Sequence, residues 1–225
     1  MFAAADYLDF THTKHAPLFS EGEPVWSAVG RIAGYLKELL QPGIQGTVHP
    51  GAVVGPEVRI GAGTVVEAGA VIKGPAWIGE NCQIRPGCYI RENVIVGDGV
   101  VMGNSSEFKN CLLFDGCEVP HFNYVGDSIL GYKAHLGAGA ILSNVRLDRR
   151  EVVVRNGAEH IPTGLRKFGA IIGDLAEIGC NSCINPGSII GRRSVVYPLS
   201  NFAGILPADS ILKTRQSQSI VPKRD

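Results

Sequence analysis

The chain has 225 residues, 45% hydrophobic but only 7% aromatic, with 29 glycines. Aliphatic and small side chains must therefore fill the interior of one sizeable folded unit. Its 21 basic and 21 acidic residues leave a formal net charge of +0, which removes the electrostatic ground for a nucleic acid partner. The opening "MFAAADYLDF" lacks the basic and apolar regions of a secretory signal, and no segment reaches about 18 uninterrupted apolar residues. The expectation is a cytoplasmic protein with no membrane partner and with its 6 cysteines reduced.

Residues 1–46 read as an N-terminal segment carrying one helix. In "EPVWSAVGRIAGYLKELLQPG", Val25, Val29, Ile32, Leu36 and Leu40 recur at helical spacing, with Pro24 in the first turn and "QPG" as the stop. The helix is expected to pack on or cap the first coil of the region that begins at Val48. His12 and His15, in the irregular stretch before it, read as incidental and not as a metal site.

From Val48 onward an apolar residue returns at every sixth position: Val54, Ile60, Val66, Ile72, Ile78, Ile84, Ile90, Val96, Met102, Phe108, Phe114. The count resumes at Leu130, Leu136 and Leu142, and again from Ile172 to Phe202. A period of six fits neither a helix nor a long amphipathic strand. It fits a short strand and a tight turn, three of which make a triangular coil of about 18 residues, the hexapeptide parallel β-helix. Gly and Asn suit its corners, where positive φ costs them little. Cys82 and Cys88 fall at small interior positions. The predicted repeat spans 47–205, with an excursion at about 145–168, and leaves a tail at 206–225. Within the excursion "EVVVRNGAEHI" reads as a hairpin turning at Asn156-Gly157.

Residues 18 apart share a column, and the neighbours of an inward residue point out. Lys73, Arg91 and Lys109 form such a column, so they are either a ladder for an anion such as phosphate or three solvated side chains splaying apart. Glu107 and Lys109 flank inward Phe108. Around "VPHFNYVGD" the six-residue count slips, with Phe114, Val119, Val125 and Leu130 as the inward series. That slip is expected to set His121 over the coil carrying Glu107, where a carboxylate could hold an imidazole in one tautomer for work as a general base.

The run "GNSSEFKN...VPHFNYVGDSILGYKAHLGAGAILSN" resembles the glucosamine-1-phosphate N-acetyltransferase domain of bifunctional bacterial and archaeal enzymes that make UDP-N-acetylglucosamine. The resemblance implies an all-β fold, a left-handed parallel β-helix with a short N-terminal helix and an inserted hairpin. It implies acetyl-CoA as co-substrate, no metal, and a homotrimer with sites between subunits. It further implies His121 as catalytic base oriented by Glu107, Arg91 and Lys109 on the sugar phosphate, and Tyr124 and Asn144 on the amino sugar. Ala138 would make a backbone contact to acetyl-CoA, and Cys180 would lie near the thioester. The chain departs from the bacterial pattern at His135 and in "SNVRLDRRE", where Arg150 is the nearest substitute for a phosphate-binding lysine. No "GxGTR"-like loop of a nucleotidyltransferase occurs. The acceptor is alternatively another amino sugar or a nucleotide sugar, and three further readings compete. The histidine spacing disfavours a zinc-dependent γ-type carbonic anhydrase. Acyl transfer to a lipid precursor would keep the His base, and a non-catalytic scaffold would keep the fold without turnover.

Overall fold

The computed structural model describes residues 2–215, 217 and 219–223. Its body is a parallel β-helix of about nine turns, consistent with the left-handed β-helix that the resemblance implies. Three sheets form its sides: a first face of nine strands from Gly43–Ile44 to Ile205–Leu206, a second of nine from Thr47–Val48 to Ile211–Leu212, and a third of eight from Val53–Val54 to Asn201–Phe202. The coil thus takes in residues on both sides of the expected 47–205. Each strand pairs with the one a coil earlier, as Val65 with Gln83 and Val71 with Tyr89.

Strands of two or three residues let one or two side chains per face point inward. On the first face Ala76 and Ile78 point into the core while Trp77 between them points out. The interior is one stack of aliphatic, small and thiol side chains in which Cys82, Cys88, Cys111 and Cys117 are buried. All six cysteines are free, and burial pushes the Cys82 thiol up to about 11, as suits a packing residue. Corners use positive φ as expected: between the first two faces Gly63, Asn81, Gly99 and Gly116 follow one another up the coil.

The register departs from the expected inward series. Leu113, not Phe114, enters the core, and Phe114 packs outward against the N-terminal segment. Val96 pairs with Leu113 and Leu113 with Leu130, so these two coils have 17 residues each. The missing residue lies at the corner from the third face to the first. Lys73-Gly74-Pro75 and Arg91-Glu92-Asn93 fill that corner in lower coils, whereas Lys109-Asn110 and Gly126-Asp127 fill it in the next two. The beat is lost beside Lys109, and the corner at His121 keeps the usual length.

Helix α1 (Ser27–Leu39) buries Ala28, Val29, Ile32 and Leu36. It lies along the outside of the first face, against Val94–Val96 and Cys111–Leu113, and so covers a side of the coil and not its end. The cause is visible in the face itself: Trp77, Ile95, Leu112, Ile129, Ile171 and Ile189 point outward and are apolar, so the segment that folds back over them removes that surface from water. His15 is buried there, its Nδ1 3.3 Å from the Tyr35 hydroxyl and its ring edge-on to Trp77, while His12 stacks on Tyr132. The excursion covers higher coils of the same face with Val152, Val154 and Phe168. Its strands Val153–Asn156 and Glu159–Pro162 pair Asn156 with Glu159, so the two turn residues are Gly157 and Ala158. This moves the turn one residue from the expected Asn156-Gly157. Gly157, at φ +59°, occupies the first turn position, where a type II′ hairpin needs glycine.

Candidate active site

All the sequence-predicted residues but Arg150 lie along the third face and the corners at its two ends. Asn104 pairs with His121, Glu118 with His135 and His135 with Glu177. Carrying that register three residues along puts His121, Ala138 and Cys180 in one column at the corner between the second and third faces, with about 4.8 Å per step. Backbone bonds trace the same path: Gly139 donates to His121 O (3.0 Å), Asn181 to Ala138 O (2.9 Å) and Leu199 to Cys180 O (2.9 Å).

His121 and Phe122 are exposed, and a buried asparagine holds their corner. Asn123 Oδ1 accepts from the His121 amide (3.0 Å), its amide donates to Ser106 Oγ (3.1 Å), and its Nδ2 donates to Gly137 O (2.8 Å). Asn123 was not among the expected site residues. The signal for it was a polar side chain at a corner, in register with Ser106. Directly before this corner Gly103 lies opposite Pro120, and a Cβ on Gly103 would meet Pro120 O at 1.5 Å. Only a hydrogen fits there. Ala138 is partly exposed and Cys180 exposed, and their amides have no acceptor among the described residues.

Across the corner, on the third face, Tyr89, Glu107, Tyr124 and Ile141 form the next column. Glu107 gives its carboxylate to Arg91 (2.9 Å), and no hydrogen bond joins it to His121 among the described residues. The geometry explains the difference: His121 leaves the end of the second face directly over Asn104, while Glu107 projects from the third face toward the basic column.

That column is present, with Lys73, Arg91 and Lys109 in register. It is not a bare stack of like charges. Glu92 Oε1 lies 3.5 Å from an Arg91 nitrogen and 3.7 Å from Lys109 Nζ, and Lys73 Nζ sits 5.2 Å from the centre of the Tyr89 ring.

Tyr124 and Asn144, expected together at the sugar, meet at 3.2 Å, Asn144 Nδ2 donating to the phenol oxygen. The same Nδ2 donates to Asp127 Oδ2 (2.5 Å), and Asn110 Nδ2 donates to Oδ1 (2.9 Å). Burial, with the Asp127 charge second, raises the Tyr124 phenol above its ordinary value. The phenol therefore stays protonated at neutral pH. Arg150 lies apart: it is exposed on the excursion, its amide donates to Asp148 Oδ1 (3.1 Å), and it touches none of the other expected residues among the described contacts. His135, on the outside of the second face, bonds Glu177 (2.7 Å). Among the described residues no group of His, Cys, Asp and Glu could hold a metal ion, and no helix is long and apolar enough to cross a membrane.

Comparison with known proteins bears on this same region. Residues 72–163 match the family model described as the GMPPB C-terminal domain. The chain resembles sugar-1-phosphate nucleotidylyltransferase/acetyltransferases. It is 39% identical over 94 residues to a bifunctional enzyme of that description from Sulfurisphaera tokodaii, covering 42% of this chain and 23% of the relative. It is 33% identical over 121 residues to the bifunctional protein GlmU of Methanococcus maripaludis, covering 54% and 29%. The chain thus spans about a quarter of the length of these relatives. Among solved structures it is similar to the acetyltransferase domain of PglB from Neisseria gonorrhoeae in complex with acetyl coenzyme A. That likeness has 18% identity and a TM-score of 0.31, over 71% of this chain and 50% of the other. The family resemblance drawn from the sequence is thereby met.

Proposed function

We propose that this chain transfers acetyl from acetyl-CoA to the amine of an amino sugar phosphate, most simply glucosamine-1-phosphate, with His121 as general base. The observation that carries the reading is the single column of His121, Ala138 and Cys180 beside the Tyr124–Asn144 pair and the Arg91–Lys109 rungs. The names of the bifunctional relatives, which join a sugar-1-phosphate activity to an acetyltransferase, support it.

The chemistry is set by those positions. A sugar ammonium is not nucleophilic, so the free amine attacks the thioester carbonyl while an imidazole nitrogen of His121 takes the proton. The carbonyl oxygen gains charge and needs donors that are already in place. The amides of Ala138 and Cys180, stacked above His121 and without acceptors among the described residues, are in position to supply them. Arg91 and Lys109 hold the phosphate; Tyr124 and Asn144 orient the ring. Glu107 acts through Arg91 and not as the direct partner of His121. His121 is exposed on one chain, so we assign the opposite wall of the site to a neighbouring copy in a homotrimer.

The test is release of CoA thiol from acetyl-CoA with glucosamine-1-phosphate, galactosamine-1-phosphate and glucosamine-6-phosphate in parallel. Turnover with a 1-phosphate should fall about 100-fold or more in His121→Ala, with sedimentation giving three chains. Turnover surviving in the mutant would remove His121 as base, and no turnover with any acceptor would favour a scaffold.

A further inference from the structure

Glu92 stands out because it has no counterpart in the coil above. Asn93 lies in register with Asn110 and Arg91 with Lys109, since Val94 pairs with Cys111 and Ile90 with Phe108. The upper corner is one residue short, so Glu92 overhangs it. Its carboxylate reaches the two basic rungs at once, 3.5 Å from Arg91 and 3.7 Å from Lys109. Those are the contacts a phosphate oxygen would make. Glu107 occupies Arg91 from the other side, and Lys73, Tyr89 and Tyr124 are the other charged and titratable groups around the column.

We infer that Glu92 is a tethered anion that closes the cation column until the phosphate group of a substrate displaces it. The inference rests on the phosphate-binding role proposed above for Arg91 and Lys109. Burial opposes ionisation of Glu92, but its own backbone amide and the charges of Arg91, Lys109 and Lys73 outweigh it and hold the carboxyl below its usual range. Glu92 therefore stays charged across neutral pH and competes throughout. A tethered group competes at an effective concentration that a weak anion in solution does not match. The ligand that wins carries more charge than a carboxylate, which means a phosphate monoester, near −2 above its second ionisation at about pH 6, in preference to a singly charged diester.

The measurement is calorimetric binding to the whole chain, at low salt, of glucose 1-phosphate and of its methyl diester, in the wild type, Glu92→Gln, Lys109→Gln and Glu92→Gln/Lys109→Gln. Displacement costs every ligand the same, so Glu92→Gln should tighten both ligands by the same factor, about 5-fold. The monoester should remain the tighter ligand in both proteins, and its binding should strengthen from pH 5 to pH 7 while the diester's stays flat. Measured against Lys109→Gln alone, the gain should shrink in the double variant, because Glu92 then contests only Arg91. A gain much larger for the monoester than for the diester would mean that Glu92 stays in place and merely repels, and would overturn displacement. Absence of any gain, or a gain left undiminished in the Lys109→Gln background, would overturn it too. None of these readings needs turnover. A chain that fails the thiol-release assay but shows the equal gains keeps the inference and loses the acetyl-transfer reading.

Discussion

The first and third faces of the coil come from the same hexad, and their inward residues are interchangeable in kind. Their outward residues are not. On the first face the outward column is Trp77, Ile95, Leu112, Ile129, Ile171 and Ile189, and it is covered by α1, the N-terminal turns and the excursion. On the third face the corresponding column is Tyr89, Glu107, Tyr124, Ile141 and Cys183, polar and apolar mixed and half-exposed. The inner repeat builds the rod; the outer residues divide it into a covered side and a side that carries the proposed site. Substitutions on the first face should lower stability with catalysis per folded molecule intact, and those on the third should do the reverse.

The largest break in that division is expected from Phe114→Ala. It opens a hole between the first-face edge and Phe10 and Phe19, and should lower the unfolding free energy by about 3–5 kcal/mol in urea titrations while kcat stays near the wild-type value. A loss of kcat at unchanged stability would abolish the distinction between the faces.

Next in size is a pH effect on the first face alone. Burial, with the Lys14 charge second, lowers His15 to about 4 from its ordinary value of 6.5. The unfolded chain therefore binds the proton first. His15's contribution is complete above about pH 6.5 and is lost as pH falls from 6.5 toward 4, by about 2–3 kcal/mol. Melting temperature should drop over that window, and His15→Phe should flatten the drop. An equally steep profile in the mutant would place the acid sensitivity elsewhere.

The smallest effect sharpens the third-face half of the comparison. Tyr124→Phe removes the bond from Asn144 but leaves Asp127 paired with Asn110 and Asn144, so stability should fall by about 1 kcal/mol or less. The acceptor KM should rise several-fold with kcat less changed. A larger loss of stability than of acceptor binding would assign Tyr124 to packing.

The interior was legible in the sequence because a period of six forces it. The cover of the first face was not, since α1 and its target at Cys111–Leu113 lie far apart in the chain and periodicity says nothing about what meets an outward residue. The misplaced register at Phe114 has a local cause: Leu112, Leu113 and Phe114 are three apolar residues in a row, and only alternation along the strand decides that the middle one turns inward. The candidate site divides the same way. His121 stood out through the slip read into the count, which the structure moves to Lys109, and through the resemblance. Its alignment with Ala138 and Cys180 emerges once the shortened coils and the excursion are counted. Glu92 was invisible, because its reach to Lys109 depends on a residue missing from another coil.

The close approach of Gly103 to Pro120 ties the inheritance of one position to the path of a neighbouring strand. Any side chain at 103 must drive its Cβ into the Pro120 carbonyl, which is 1.5 Å from where that carbon would stand. A lineage that changes Gly103 first meets a steric barrier at the neighbour of His121, and can cross it only after the strand around Pro120 has moved. Because the obstacle is a main-chain carbonyl that any residue at 120 would carry, variation at 103 should follow a shift of that strand and never precede it.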